Sequence, residues 1–121
     1  MKQTRTLNPG EECLFCDIVS GKRKEKIVYE DGRFMVFHDT NPSAPVHLLI
    51  IPKKHVEKIS DLKAADTAFI GKLVCGAQKI AAQNGWNDYR LVFNNGPEAG
   101  QSVYHIHLHF LSGRHMTWPP G

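Results

Sequence analysis

The chain has 121 residues, one domain's worth, with 15 basic and 12 acidic side chains and a formal charge of +3 when the histidines are neutral. Hydrophobic residues make up 41% and charged ones 22%, which excludes a disordered tail, and a chain of this size buries roughly two thirds of its unfolded surface, enough for one core. No apolar run reaches the ~20 residues of a membrane span, and the small positive charge is too weak to argue for nucleic acid.

Residues 1–12 are polar, include Pro9-Gly10 and lack the apolar stretch of a secretory signal, so they read as a flexible arm. Residues 13–121 show no internal repeat or linker and read as one domain. Leu14, Phe15, Ile18 and Val19 recur at helical spacing, predicting a short helix ended by Gly21. The charge run Lys22-Arg23-Lys24-Glu25-Lys26 reads as solvated surface. Two apolar runs, Ile27-Val28-Tyr29 and Phe34-Met35-Val36-Phe37, flank the hairpin signal Asp31-Gly32. His47 to Ile51 reads as a third strand stopped by Pro52. From about Ala64 to Asn84, Phe69, Ile70, Leu73, Val74, Ala77, Ile80 and Ala81 form one helical stripe, with Gly85 as its cap. Tyr89–Phe93 and Val103–Leu111 read as the fourth and fifth strands. The result is an α+β class: an antiparallel sheet covered by one long helix.

Three cysteines, Cys13, Cys16 and Cys75, are an odd count that points to a reducing compartment, hence a cytoplasmic location. Cys75 falls inside the helical pattern, where a buried, inert thiol is expected.

The most informative stretch is His105-Ile106-His107-Leu108-His109-Phe110-Leu111. In a strand the three histidines share one face about 6.8 Å apart, while Ile106, Leu108 and Phe110 face the helix. Packing alone favours Thr, Tyr or Val at such positions. Two chemistries remain: alternate imidazoles chelating a metal, or one neutral imidazole attacking an electrophile whose anionic part its neighbours bind. The preceding loop, Asn94 to Ser102, is rich in Gly and neutral donors and has a single acid, Glu98. That composition suits a phosphate cradle better than a carboxylate-rich metal cage.

The histidine stretch resembles the motif of the histidine-triad (HIT) family, His-φ-His-φ-His-φ-φ with φ apolar. Asp39-Thr40-Asn41-Pro42, Pro45-Val46-His47, Ile51-Pro52-Lys53-Lys54-His55, Gly100-Gln101-Ser102-Val103-Tyr104 and Trp118-Pro119-Pro120-Gly121 are similar to the Hint branch of that family. The resemblance implies a HIT-like fold over 13–121, a five-stranded antiparallel sheet with one long and one short helix. It further implies a homodimer whose sheets join into ten strands. Implied as well is cleavage of purine nucleoside phosphoramidates or acyl- and aminoacyl-adenylates at the α-phosphorus, through a nucleotidyl-histidine on His107. The His105 carbonyl would hold the His107 Nδ1 proton, and His109 and His47 would contact phosphate oxygens. Ser102 would bond the leaving group, while Asn94, Gly100 and Gln101 would help to hold the phosphate. Asp39 would accept the ribose hydroxyls, and Leu14, Phe15, Ile18, Phe37, His38 and Thr40 would line the base pocket. Trp118 would cross the dimer interface towards the neighbouring site; a frayed tail is the alternative.

Cys13 and Cys16 have ligand-type spacing but make only half a site. The resemblance implies completion by His55 and His105, a Cys2His2 set for a structural Zn2+ that catalysis does not require. A redox pair or two unlinked thiols are the alternatives. Two further readings of the whole chain stay open at this point, a metal-dependent or redox hydrolase centred on the triad, and a non-catalytic nucleotide-binding regulatory or scaffold dimer.

Overall fold

A computed structural model describes residues 13–121; the expected arm at 1–12 lies outside them. The elements, in chain order, are α1 (Leu14–Ser20), β1 (Ile27–Glu30), β2 (Phe34–His38), β3 (Val46–Pro52), α2 (Thr67–Asn84), β4 (Tyr89–Val92) and β5 (Leu108–Ser112). The five strands form one antiparallel sheet in the order β1-β2-β3-β5-β4. The α+β class and both helices are as expected, with Gly21 and Gly85 closing them in the left-handed conformation.

Period-two alternation sorts the side chains of the central strands between two layers. Phe34 and Val36 of β2, Leu48 and Ile50 of β3, and Leu108 and Phe110 of β5 pack with Leu73, Ala77, Ile80 and Ala81 of α2. The alternate residues Met35, Phe37, Leu49 and Ile51 pack with Phe15 and Ile18 of α1. Both faces of the sheet centre are therefore covered, which is why β2 and β3 read as continuous apolar runs rather than alternating ones. Burying a side chain such as Phe15 contributes about 1.5–3 kcal/mol. Because α1 has only 7 residues, it covers part of its face and leaves a cleft beside it.

Three expectations need correction. The last strand starts at Leu108, not Val103. Its register with β3 ends at Ile50↔Leu108, and two residues further along β3 stands Pro52, which has no N–H to offer. The Pro52 carbonyl takes the His105 side chain instead, and the Ile106 N–H donates to the Val56 carbonyl at 2.8 Å, so residues 103–107 approach the sheet without joining it. The long helix begins at Thr67, with Ala64–Asp66 forming a 3-10 turn. Cys75 is exposed, because it lies on the flank of α2 turned away from the Leu73–Ala77–Ile80 stripe.

Gly113, just after β5, has φ +98°. A Cβ there would stand 3.0 Å from the Pro45 ring, so an L side chain meets both backbone strain and a contact that a ring cannot swing away from. Gly113→Ala is expected to lower stability by about 1–3 kcal/mol in denaturant unfolding. Gly71→Ala, on the exposed side of α2 with nothing within 4 Å, is expected to raise it by about 0.5–1 kcal/mol.

Candidate active site

Strand register brings the histidines together. In the β3–β5 ladder His47 stands opposite Leu111 and Leu49 opposite His109, so His47 and His109 are diagonal neighbours on one face, within reach of ring-sized side chains. Their rings meet with His47 Nε2 2.9 Å from His109 Nδ1. The β2–β3 hairpin carries on past His38↔Leu48, and the Asp39 N–H donates to the His47 carbonyl at 2.9 Å, which sets the Asp39 carboxylate beside the same imidazole. His107 lies next along the chain, with its ring centroid 4.9 Å from that of His109 and 5.1 Å from that of Phe15 on α1.

Backbone groups decide where each imidazole carries its proton. His107 Nδ1 lies 2.8 Å from the His105 carbonyl, which can only accept, so Nδ1 holds the proton and Nε2 keeps its lone pair. His105 is the mirror case: Nε2 donates to the Pro52 carbonyl at 2.7 Å, leaving Nδ1 as the ligand atom. The Ser43 N–H donates to His47 Nδ1 at 2.9 Å, so the His47 proton is on Nε2, facing His109 Nδ1. His109 Nδ1 therefore accepts, and its own proton on Nε2 is a donor. A nitrogen lone pair and an N–H donor thus sit side by side on neighbouring rings.

Burial favours the neutral ring in every case. It lowers the pKa of His107 against the opposing pull of the His105 bond and Asp39, and that of His47 against the pull of Asp39. It pushes His109 down to about 4, helped by His107 and His47, and His105 down to about 4 against the Pro52 bond. At neutral pH the His107 ring is therefore neutral, with an unprotonated Nε2.

Beside these rings opens a cleft of roughly 210 Å³. Of the residues expected at a site, Leu14, Phe15, Ile18, Phe37, His38, Asp39, Thr40, Ser102, His107 and His109 line it. His47 is buried behind His109, with both ring nitrogens engaged by the protein. Asn94, Gly100, Gln101 and Trp118 are not among the lining residues, and Trp118 is 80% exposed on this single chain. Four lining residues escaped sequence reasoning: Leu49, Val103, Arg23 and Glu25. Arg23 and Glu25 belong to the charge run, whose only sequence signal was solvation; they reach the cleft because the chain folds back over it after α1, held by the Arg23 N–H on the Asp17 carbonyl at 3.1 Å.

A second cluster lies at the other end of the triad. Cys13 Sγ and Cys16 Sγ are each 3.6 Å from His105 Nδ1, Cys16 Sγ is 3.3 Å from His55 Nδ1, and the two Nδ1 atoms are 3.2 Å apart. A tetrahedral ion with bonds of ~2.3 Å to sulfur and ~2.05 Å to nitrogen needs S–N edges of about 3.5 Å and N–N edges of about 3.3 Å, so these four donors fit one. A single proton bridges only one pair of them, whereas a cation satisfies all four. Burial and Cys13 push the Cys16 thiol up to about 12, opposite to the depressed thiol of a redox pair. Asp39, His47 and His109 also lie within ligand distance of one another. Here the Ser43 N–H forbids the proton on His47 Nδ1 that a metal on Nε2 requires, so that cluster holds a proton.

Gln101 is buried within its own loop. Its buried amide accepts from the Gly96 N–H at 2.9 Å and donates to the Glu57 and Val103 carbonyls at 2.7 and 3.1 Å. It clamps the 96–103 loop, which presents Ser102 to the cleft.

A family model described as scavenger mRNA decapping enzyme C-term binding matches residues 12–118. An uncharacterised HIT-like protein of Synechocystis sp. is 46% identical over 113 residues, 93% of this chain and 99% of that protein. The crystal structure of a HIT family hydrolase from Legionella pneumophila superposes with a TM-score of 0.88 at 48% identity, covering 91% of this chain and 100% of that one. A zinc-bound histidine triad family protein from Mycobacterium smegmatis superposes with a TM-score of 0.72 at 32% identity, covering 84% and 75% of the two chains. The chain belongs to the histidine-triad family and has the fold of its hydrolases.

Gln101→Leu leaves three backbone groups without their partner, and is expected to cost about 2–3 kcal/mol of stability with faster amide exchange across 96–103. Unchanged exchange there would show that the loop is held by something else.

Proposed function

We propose that this chain is a nucleotide hydrolase or nucleotidyl transferase of the Hint branch, cleaving purine nucleoside phosphoramidates or acyl- and aminoacyl-adenylates at the α-phosphorus. The observation that carries this reading is the His107 Nδ1 bond to the His105 carbonyl, which leaves a neutral Nε2 lone pair beside the His109 N–H donor. His107 Nε2 attacks phosphorus, the P–N or P–O bond to the leaving group breaks, and a nucleotidyl-histidine forms. Water then opens it, giving the nucleoside monophosphate and returning the imidazole. His109 Nε2–H stabilises the charge growing on a non-bridging oxygen, and His47 supports it from behind. Ser102 bonds the departing atom, while Asn94 and Gly100 shape the loop end of the phosphate site. Asp39 accepts the ribose hydroxyls, and Phe15, Ile18, Leu14, Phe37, His38 and Thr40 hold the purine.

Cys13, Cys16, His55 and His105 would hold a structural Zn2+, which supplies no open coordination position and fastens α1 to the approach of β5. The donor spacing and the zinc-bound relative support this reading. A homodimer is supported by the outer edge of β4, which no described strand covers and where pairing with a second β4 would extend the sheet to ten strands. Arg90 of β4 donates to the Thr117 carbonyl at 2.9 Å, holding the tail and Trp118 along that edge. No described helix is long and apolar enough to cross a membrane, and we read the odd cysteine count as that of a cytoplasmic protein with neither membrane nor nucleic-acid partners.

With an adenosine phosphoramidate labelled in the nucleotide, acid-free quenching is expected to trap the label on His107. His107→Gly should lose turnover by at least about 10³-fold while retaining nucleotide affinity, since removal of a nucleophile acts on the chemical step. Label on another side chain, or full activity in the variant, overturns the assignment. For the metal, Cys16→Ser is expected to lose bound zinc and to lower Tm without abolishing turnover; a protein that carries no zinc when purified without chelators, and gains no Tm when zinc is added, excludes the structural ion.

A further inference from the structure

Behind the wall of the cleft lies a proton with two acceptors. His47 Nε2 lies 2.9 Å from His109 Nδ1 and 3.3 Å from Asp39 Oδ2. Because the Ser43 N–H occupies His47 Nδ1, a neutral His47 has one proton and it stands between those two acceptors. The other carboxylate oxygen, Asp39 Oδ1, is anchored by the Asn41 N–H at 2.8 Å, so the carboxylate cannot rotate freely away from the imidazole. Asp39 also lines the cleft, with its side chain 18% exposed, while the His47 side chain is 5% exposed and out of reach of a ligand. One acidic side chain thus faces a buried donor on one side and the ligand space on the other.

We propose that Asp39 is a positioning residue for His109 as well as an acceptor for the sugar, coupling ribose occupancy to the phosphate side of the cleft. The inference rests on the reading of Asp39 as the ribose acceptor. With the cleft empty, Asp39 draws the His47 N–H partly towards itself and weakens the bond to His109. A cis-diol donating to the carboxylate satisfies Oδ2, and the His47 N–H turns wholly to His109 Nδ1. His109 is thereby held in the tautomer and orientation that present Nε2–H to a phosphoryl oxygen. Recognition of the sugar then contributes to the chemical step and not to binding alone, since the interaction it strengthens acts on charge that grows in the transition state. No side chain other than His47 needs to move.

The test uses the full chain labelled with 15N-histidine, and two probes that carry no phosphate, adenosine and 2′,3′-dideoxyadenosine. At saturation adenosine is expected to increase the scalar coupling between His47 Nε2 and His109 Nδ1 across their hydrogen bond, and to shift both nitrogens. Dideoxyadenosine, bound to the same extent, should leave them unchanged, and in Asp39→Asn the difference between the two probes should shrink by more than half. In turnover, the 2′,3′-dideoxy phosphoramidate should lose about tenfold in kcat relative to the ribo substrate, beyond any change in KM, and Asp39→Asn should remove most of that kcat difference. Identical His47–His109 signals with the two bound probes, or a sugar effect confined to KM, overturns the coupling. A signal change in a protein that turns over no phosphoramidate upholds the coupling and refutes the hydrolase reading. Turnover through His107 without the signal change does the reverse.

Discussion

Four imidazoles crowd one face of a small sheet, and their chemistry depends on backbone groups that dictate which ring nitrogen carries hydrogen. The His105 carbonyl holds the proton of His107 at Nδ1, the Pro52 carbonyl holds that of His105 at Nε2, and the Ser43 amide forces that of His47 to Nε2. These bonds cost the sheet little, because each uses a backbone group that the ladder leaves unpaired. Pro52 is the clearest case. Its missing N–H ends the β3–β5 pairing, and the carbonyl left over at that point orients the first histidine of the triad.

From that division follow two sites with different chemistry built from one stretch of chain. His105 turns its free nitrogen to Cys13, Cys16 and His55, where soft donors at tetrahedral spacing suit a metal ion. His107 and His109 turn theirs to the cleft under α1, where a lone pair and a donor suit an electrophile with anionic oxygens. Phe15 stands against both His105 and His107, at centroid distances of 5.9 and 5.1 Å, so the packing of one short helix shapes both sites at once. Burial keeps the rings neutral, and neutrality is what lets three of them stand in a row without mutual repulsion.

Much of this arrangement was legible residue by residue. Period-two spacing predicted that Ile106, Leu108 and Phe110 face α2 and that the histidines face away, and the packing of the two layers agrees. The hairpin at Asp31-Gly32, the helix caps at Gly21 and Gly85 and the stripe along α2 rest on local chemistry that needs no tertiary information. Cys75 is exposed against expectation because a single thiol on the border of an apolar stripe carries no signal for which side it takes. The place of Arg23 and Glu25 at the cleft is not legible for a similar reason: a charge run reads the same whether it faces bulk water or the mouth of a cleft.

By itself the sequence determined the class of fold, the apolar faces, the histidine row and the ligand-type spacing of Cys13 and Cys16, since all of these rest on periodicity, turn chemistry and motif; only the family resemblance pointed from that half site to His55 and His105. Only the tertiary structure decided the partners: which nitrogen is protonated, that Gln101 clamps its loop, that His47 stands behind His109, and that the Asp39 carboxylate lies 3.3 Å from His47 Nε2. Those facts depend on strand register and on single hydrogen bonds of about 3 Å between residues as far apart as His47 and His109, and a linear pattern does not encode distances of that kind.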